Sequence, residues 1–427
     1  MKVLVVGAGG REHALSWKIS QSTKVTSVFV APGNGGTELE DHLTNVDIQA
    51  DDIEGLASFA LEQGIDLTIV GPEDPLVNGI TDRFNNLGLK CFGPSKSAAQ
   101  LEGSKEFMKD FLQRHHIPTA EYSSFSDTER AIEYVEQKGC PIVIKADGLA
   151  AGKGVTIAHT VEEAKEAIYK SLESKVFGEA GKKIVIEEFL DGEEASFIVM
   201  TDGTNVIPFA SSQDHKALED NDKGPNTGGM GAYSPAPIVD EYVHEKIMNE
   251  IIFPTLKGLR KDGYKYCGFL YAGMMIDKNK KLKVLEFNCR FGDPETQPIM
   301  MRLKSDLASL CDQACDDNLI EQPLEWDSRK AIGVVLAARG YPHGYAKGKD
   351  ITNIPSETDD LKIFHAGTKI ESNSLKSNGG RVLCVTTLGD SVESAQNKAY
   401  DAISKIEWED AFYRKDIGYR AIARERK

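Results

Sequence analysis

Along Glu286-Phe287-Asn288-Cys289-Arg290 polar and apolar residues alternate, which is the period of a β-strand, so Glu286, Asn288 and Arg290 point to one face. Two hard oxygen donors and a cation then converge on one site. Magnesium takes few protein ligands and completes its shell with phosphates and water, which suits this pair. The same alternation turns Cys289 away, as a core residue rather than a nucleophile. The competing reading is a surface strand with one ion pair, to which the Asn between the charges is superfluous.

A second constellation is Lys145-Ala146-Asp147-Gly148-Leu149-Ala150-Ala151-Gly152-Lys153-Gly154-Val155. A lysine ending a strand, followed by a glycine-rich hairpin with a second lysine, suits a lid closing over a polyphosphate. It is not a Walker loop, because Asp147 opens it and Gly154 stands where Ser or Thr would hold magnesium. Taken alone, the hairpin also reads as an ordinary basic turn. In Glu187-Glu188-Phe189-Leu190-Asp191-Gly192-Glu193-Glu194, main-chain groups at a strand end fit an adenine edge and a carboxylate fits ribose hydroxyls. A solvated acidic turn is the other reading of that segment.

Gly7-Ala8-Gly9-Gly10-Arg11-Glu12 follows a β-branched run and opens a helix. Glu12 replaces the third glycine of the dinucleotide fingerprint, and no acidic residue closes the next strand, which disfavours NAD. Backbone N–H groups at Gly9 and Gly10, with Arg11 and Glu12, remain able to cradle a substrate phosphate. An empty tight turn is the alternative, and Gly71-Pro72-Glu73-Asp74-Pro75 carries the same two readings. Adjacent His115 and His116 diverge on a helix, and neither they nor His13 has the partner spacing of a zinc site.

The elements that must carry these groups follow from periodicity. Apolar runs near Lys2–Val6, Ser27–Ala31, Leu67–Gly71 and Leu89–Gly93, with helical stretches between them, predict a doubly wound parallel sheet. Ser104 is the expected N-cap of an amphipathic helix through Leu112. Short strands and a helix between about 122 and 190 predict an α+β lid subdomain, with further strands at 194–200, 268–276 and 283–287. Expected domains are therefore 1–103, a parallel-sheet α/β domain; 104–327, a central domain with the lid; and 328–427, a small α+β domain. A chain of 427 residues exceeds one core and suits about three. With 66 acidic against 50 basic residues, a net charge of −16 opposes nucleic-acid binding. Seven scattered cysteines fit reduced thiols, no apolar run suits a bilayer or a secretory leader, and a cytoplasmic place is expected.

Taken in order, the Gly7–His13 turn, Gly103-Ser104-Lys105, the Lys145 to Val155 hairpin, Pro225-Asn226-Thr227-Gly228-Gly229-Met230-Gly231-Ala232-Tyr233 and Arg290-Phe291-Gly292-Asp293-Pro294-Glu295 resemble the glycinamide ribonucleotide synthetase family of the ATP-grasp superfamily. The resemblance spans nearly the whole chain. It implies ligation of glycine to 5-phosphoribosylamine through glycyl phosphate, with ATP as co-substrate and Mg2+ or Mn2+ as cofactor. It further implies that Lys105 and Lys145 bind ATP phosphates, that Lys153, Gly152 and Gly154 close the lid, and that Glu187 and Leu190 meet adenine while Glu194 holds ribose. Glu286 and Asn288 would bind the metal, and Arg290 would orient glycine. Asp214, Lys216, Asn226, Asp293 and Glu295 fall around the second substrate. One departure is Met274-Met275, where many superfamily members place another metal carboxylate. Partners would be small molecules, without nucleic acid or membrane, acting on a monomer or weak dimer. Competing functions are a bicarbonate- or formate-activating relative, a nicotinamide dehydrogenase suggested only by the first turn, and a noncatalytic nucleotide sensor.

Overall fold

A computed structural model describes residues 1–150, 154–174 and 176–426. Strands β1 (Lys2–Gly7), β2 (Ser27–Pro32), β3 (Leu43–Asn45), β4 (Leu67–Val70) and β5 (Cys91–Phe92) form one parallel sheet ordered β3-β2-β1-β4-β5. β1 and β4 are wholly buried except at Lys2, because both faces of such a sheet are covered by helices. The strand order reverses at β1 and β4, so the crevice beyond their carboxyl ends is where ligands enter this topology. The helix α1 (Gly10–Ser20) starts on one lip and Glu73 lies on the other.

Two antiparallel sheets form the central region. One is ordered Tyr122–Phe125, Ile184–Glu188, Ile142–Ala146, Val155–Ala158, and the helices Thr128–Lys138 and Val161–Leu172 cover it. The other is ordered Val206–Pro208, Glu193–Thr201, Gly268–Ile276, Leu282–Asn288. Ser104 caps the helix Lys105–Arg114 by accepting the Phe107 N–H at 3.1 Å. A third antiparallel sheet joins Gln213–Asp214 and Gly231–Ser234 to Lys330–Ala338, Arg381–Gly389 and Leu361–His365. The C-terminal region thus completes its sheet with two strands from the central region. No helix among the described residues is long and apolar enough to cross a membrane.

An aromatic cluster locks these parts together. Phe92 of β5 meets Phe269 of the central sheet edge-to-face at 4.8 Å, and Phe269 meets Phe291 at 4.5 Å. Each such pair adds about 1 kcal/mol beyond the area it buries. Phe291 directly follows Arg290, so packing against the parallel sheet fixes that arginine's backbone.

A polar seam joins α1 to the C-terminal sheet. His13 Nδ1 accepts the His365 N–H at 2.9 Å, its Nε2 lies 3.2 Å from Glu40, and the buried Lys362 pairs with Glu40. Burial, with His13 and Lys362 nearby, lowers His365 to about 3. Folded protein therefore keeps this ring neutral, while the unfolded chain protonates it near 6.5, so its contribution is present above that pH and lost as pH falls. The stability advantage of wild type over His365→Gln should shrink by about 2 kcal/mol between pH 7 and pH 5. Urea unfolding at both pH values measures this, and an unchanged difference would refute it.

Candidate active site

Between the four sheets lies a cavity of about 470 Å³. Among the described residues its lining carries six cationic and nine acidic side chains, so a polyanion entering it needs a further positive charge. The strand Leu282–Asn288 supplies the centre. Glu286 and Asn288 face the cavity while Phe287 and Cys289 are buried in the core behind them, as alternation requires. Glu286 pairs with Gly273 and Asn288 with Tyr271 across the ladder, and the register shifts beyond Gly273. Met275 lines the cavity and Met274 is core, so that neighbouring strand offers no carboxylate at these positions.

On one side stand Lys105, Lys145 and Glu187. Glu187 is buried between two lysines, at 2.9 Å from Lys145 and 2.9 Å from Lys109, and Lys109 also donates to Thr119 at 2.7 Å. Burial alone would raise the Glu187 pKa, but Lys145 and Lys109 hold it below the usual carboxylate range. Burial in turn lowers Lys109 to about 8. Asp147, at the root of the hairpin, accepts the Glu106 N–H at 2.8 Å, and Lys105 reaches the Gly148 carbonyl at 3.1 Å. The hairpin root and the helix start therefore hold each other. Gly154 lines the same wall, with space for a Cβ only 2.9 Å from Ala150.

Arg290 occupies the far end. Its Nε donates to Glu73 at 3.1 Å, Nη2 to Glu102 at 2.8 Å and to Asn288 at 3.2 Å, and Nη1 to the Phe291 carbonyl at 3.0 Å. Burial would raise the Glu73 pKa, but Arg290 and Arg11 bring it to about 2. Glu102, more deeply buried, rises to about 7 despite Arg290. Lys216 pairs with Glu194 and, at 3.2 Å, with Glu286. Lys216, with Lys145 and Lys105 behind it, draws Glu286 down to about 2 against burial. Burial and Glu295 push Asp214 well up.

Arg381, from the C-terminal sheet, closes the third wall. It donates to the carbonyls of Gly228 at 2.6 Å and Asp293 at 2.7 Å and pairs with the Asp293 carboxylate at 3.1 Å. Gly229 has φ +108 and its Cβ position lies 2.4 Å from Pro294, so only glycine lets this turn approach.

The structure brings together in this cavity Lys105, Lys145, Gly154, Glu187, Leu190, Glu194, Arg11, Asp214, Lys216, Asn226, Glu286, Asn288, Arg290, Asp293 and Glu295. Gly152 and Lys153 lie outside the described residues. Gly9, Gly10 and Glu12 are not in the lining. At that turn Glu12 accepts the Gly9 N–H at 2.6 Å and pairs with Arg11 at 2.5 Å. Sequence reasoning missed Lys109, Arg381 and Glu102 as partners of the site, and placed Glu73 only within a turn open to two readings. A signal existed for Lys109, which lies one helical turn from Lys105 on the same face. None existed for Arg381. No group of three or more His, Cys, Asp and Glu side chains among the described residues is arranged to hold a metal ion, and all seven cysteines are free.

A parallel sheet beside two antiparallel sheets that close on a cavity holding Lys105, Lys145, Glu286 and Asn288 defines the class as an ATP-grasp enzyme. Residues 1–102, 103–296 and 331–420 match the N, ATP-grasp (A) and C domains of phosphoribosylglycinamide synthetase. A phosphoribosylamine–glycine ligase of Escherichia coli (strain K12) is 61% identical over 427 residues, and one of Vibrio vulnificus (strain CMCP6) 60% over 428, each covering 100% of both chains. The crystal structure of phosphoribosylamine–glycine ligase from Thermotoga maritima superposes with a TM-score of 0.86 at 35% identity, covering 98% of this chain and 100% of that one. The chain belongs to the phosphoribosylglycinamide synthetase family.

The Lys109–Glu187–Lys145 triad sets one stability test. Lys109→Met leaves Glu187 buried with one cation, and breaking such a contact should cost about 3 kcal/mol. Chemical denaturation measures it, and a loss under about 1 kcal/mol would deny the triad an energetic role.

Proposed function

We infer that the chain is a ligase that joins glycine to 5-phosphoribosylamine at the expense of ATP, through glycyl phosphate, giving glycinamide ribonucleotide, ADP and phosphate in purine biosynthesis. The observation that carries this reading is the convergence in one cavity of Lys105, Lys145, Glu286, Asn288 and Arg290. The names of the full-length relatives support the particular substrates.

Phosphoryl transfer asks the protein for alignment and charge neutralisation rather than covalent help. Lys105 and Lys145 bind the phosphates, and Glu187 holds the Lys145 side chain in place until they arrive. The main chain at Glu187 and Leu190 meets adenine, and Glu194 takes the ribose. Gly152, Lys153 and Gly154 belong to the closing hairpin. Arg290 orients the acid that is activated, beside Lys145 and Asp293. Arg11, Asp214, Lys216, Asn226 and Glu295 surround the amine substrate. Glu286 and Asn288 offer a carboxylate and an amide oxygen in a cavity whose acids outnumber its cations, donor chemistry that fits a hard divalent ion. Magnesium or manganese held there would neutralise charge on the nucleotide phosphates. The division into 1–103, 104–327 and 328–427 and a cytoplasmic place, as monomer or weak dimer, complete the reading.

Glu286→Gln keeps shape but not charge, and should raise the magnesium concentration for half-maximal turnover about tenfold or more. An unchanged magnesium titration would remove Glu286 from the site. The reaction itself is tested with glycine carrying heavy oxygen in its carboxylate. Attack on the γ-phosphorus makes one carboxylate oxygen the bridge of glycyl phosphate, and that oxygen leaves with inorganic phosphate when the amine attacks. Mass spectrometry should find label in phosphate. Label in AMP would mean adenylation, and unlabelled phosphate under glycine-dependent turnover would sink the acyl-phosphate route.

A further inference from the structure

An acid-activating site does not by itself choose an amino acid over a plain carboxylic acid, yet one carboxylate here is built for that choice. Glu73 follows β4 on the lip of the crevice where the strand order reverses, and it lines the cavity. One edge of the Arg290 guanidinium runs from Nε, bonded to Glu73 at 3.1 Å, to Nη2, bonded to Asn288 at 3.2 Å. An α-amino acid carries its two charges one carbon apart. With its carboxylate accepting from Nη2 in place of the Asn288 amide oxygen, it sets its ammonium toward Glu73.

Two of the neighbouring acids, Glu102 and Asp293, are already committed. Glu102 uses one oxygen for Arg290 and the other for the Cys289 N–H at 2.7 Å. Asp293 uses one for Gln297 at 2.8 Å and the other for Arg381 at 3.1 Å. Glu73 accepts through Oε2, and among the described residues no other residue donates to its Oε1. Glu73 shares Arg290 with Glu102, and it lies 3.9 Å from Arg11, which pairs with Glu12.

We propose that Glu73 binds the ammonium group of the amino-acid substrate and so selects glycine over acids that lack one, an inference that rests on the glycine-ligase reading above. Glu73→Gln keeps an acceptor for Arg290 and loses the charge. Glycolate, with a hydroxyl in place of the ammonium, is the probe.

In wild type, glycolate should inhibit glycine-dependent ADP release only far above the Michaelis constant for glycine. In Glu73→Gln the glycine constant should rise about tenfold to a hundredfold, the span of a charge-assisted hydrogen bond, while glycolate inhibition barely moves. Glu73→Asp should retain most of the discrimination. Glu102→Gln, which also touches Arg290, should lower turnover without changing the glycine-to-glycolate ratio. A ratio unchanged in Glu73→Gln, or changed equally in Glu102→Gln, overturns the assignment. Wild-type enzyme that releases ADP with phosphoribosylamine but ignores glycine overturns the ligase reading instead, and the ammonium site with it.

Discussion

A guanidinium removed from water must find hydrogen bonds for a planar fork of five N–H groups, and Arg290 finds them in separate parts of the fold. Glu73 comes from the end of β4, Glu102 from the segment before the capped helix, and Asn288 and the Phe291 carbonyl from the central strand and its exit. These groups satisfy Arg290 only when the parallel sheet and the central sheet are docked in one relative position. The aromatic contacts of Phe291 with Phe269, and of Phe269 with Phe92, favour that same position by packing. Directional polar bonds and undirected apolar burial therefore agree on one interface, and the cavity is what that interface leaves open.

Within the cavity the charges are arranged as pairs whose partners are exchangeable. Lys216 sits on Glu194 and Glu286, and Lys145 sits on Glu187. Each pair pays part of the desolvation penalty that a lone buried ion would incur. Lys109 matters here because it gives Glu187 a second cation, so Lys145 can move without leaving a buried carboxylate bare. The surplus of acid over base then acts as a demand for positive charge, met by whatever cation accompanies the nucleotide.

What could be read from the sequence was local. Alternation put Glu286, Asn288 and Arg290 on one face and Cys289 behind them, and Ser104 capped its helix, because both rules act over a few residues. The parallel sheet followed from its buried apolar runs for the same reason. At the Gly9 to Glu12 turn the helix N-terminus attracts any nearby anion, and the Gly9 N–H goes to the Glu12 side chain two positions inside its own helix. Arg381 could not be found, since its partners at Gly228 and Asp293 lie about 150 and 90 residues away and are brought to it only by sheet closure.

That closure gives the C-terminal region a part in the site beyond support. The strand Gly231–Ser234 pairs with Lys330–Ala338, which pairs with Arg381–Gly389, so the turn before Gly231 and the arginine beginning the last strand are held in one sheet. Arg381 uses that registry to bind the carbonyls of the Gly228 turn and the Asp293 turn at once. Gly229 admits the contact because any side chain there would strike Pro294. The Asn226 wall and the Asp293 wall are thus joined by one guanidinium, as the Glu73 lip and the Asn288 strand are joined by another. Two arginines, each bridging segments remote in sequence, set the width of the cavity.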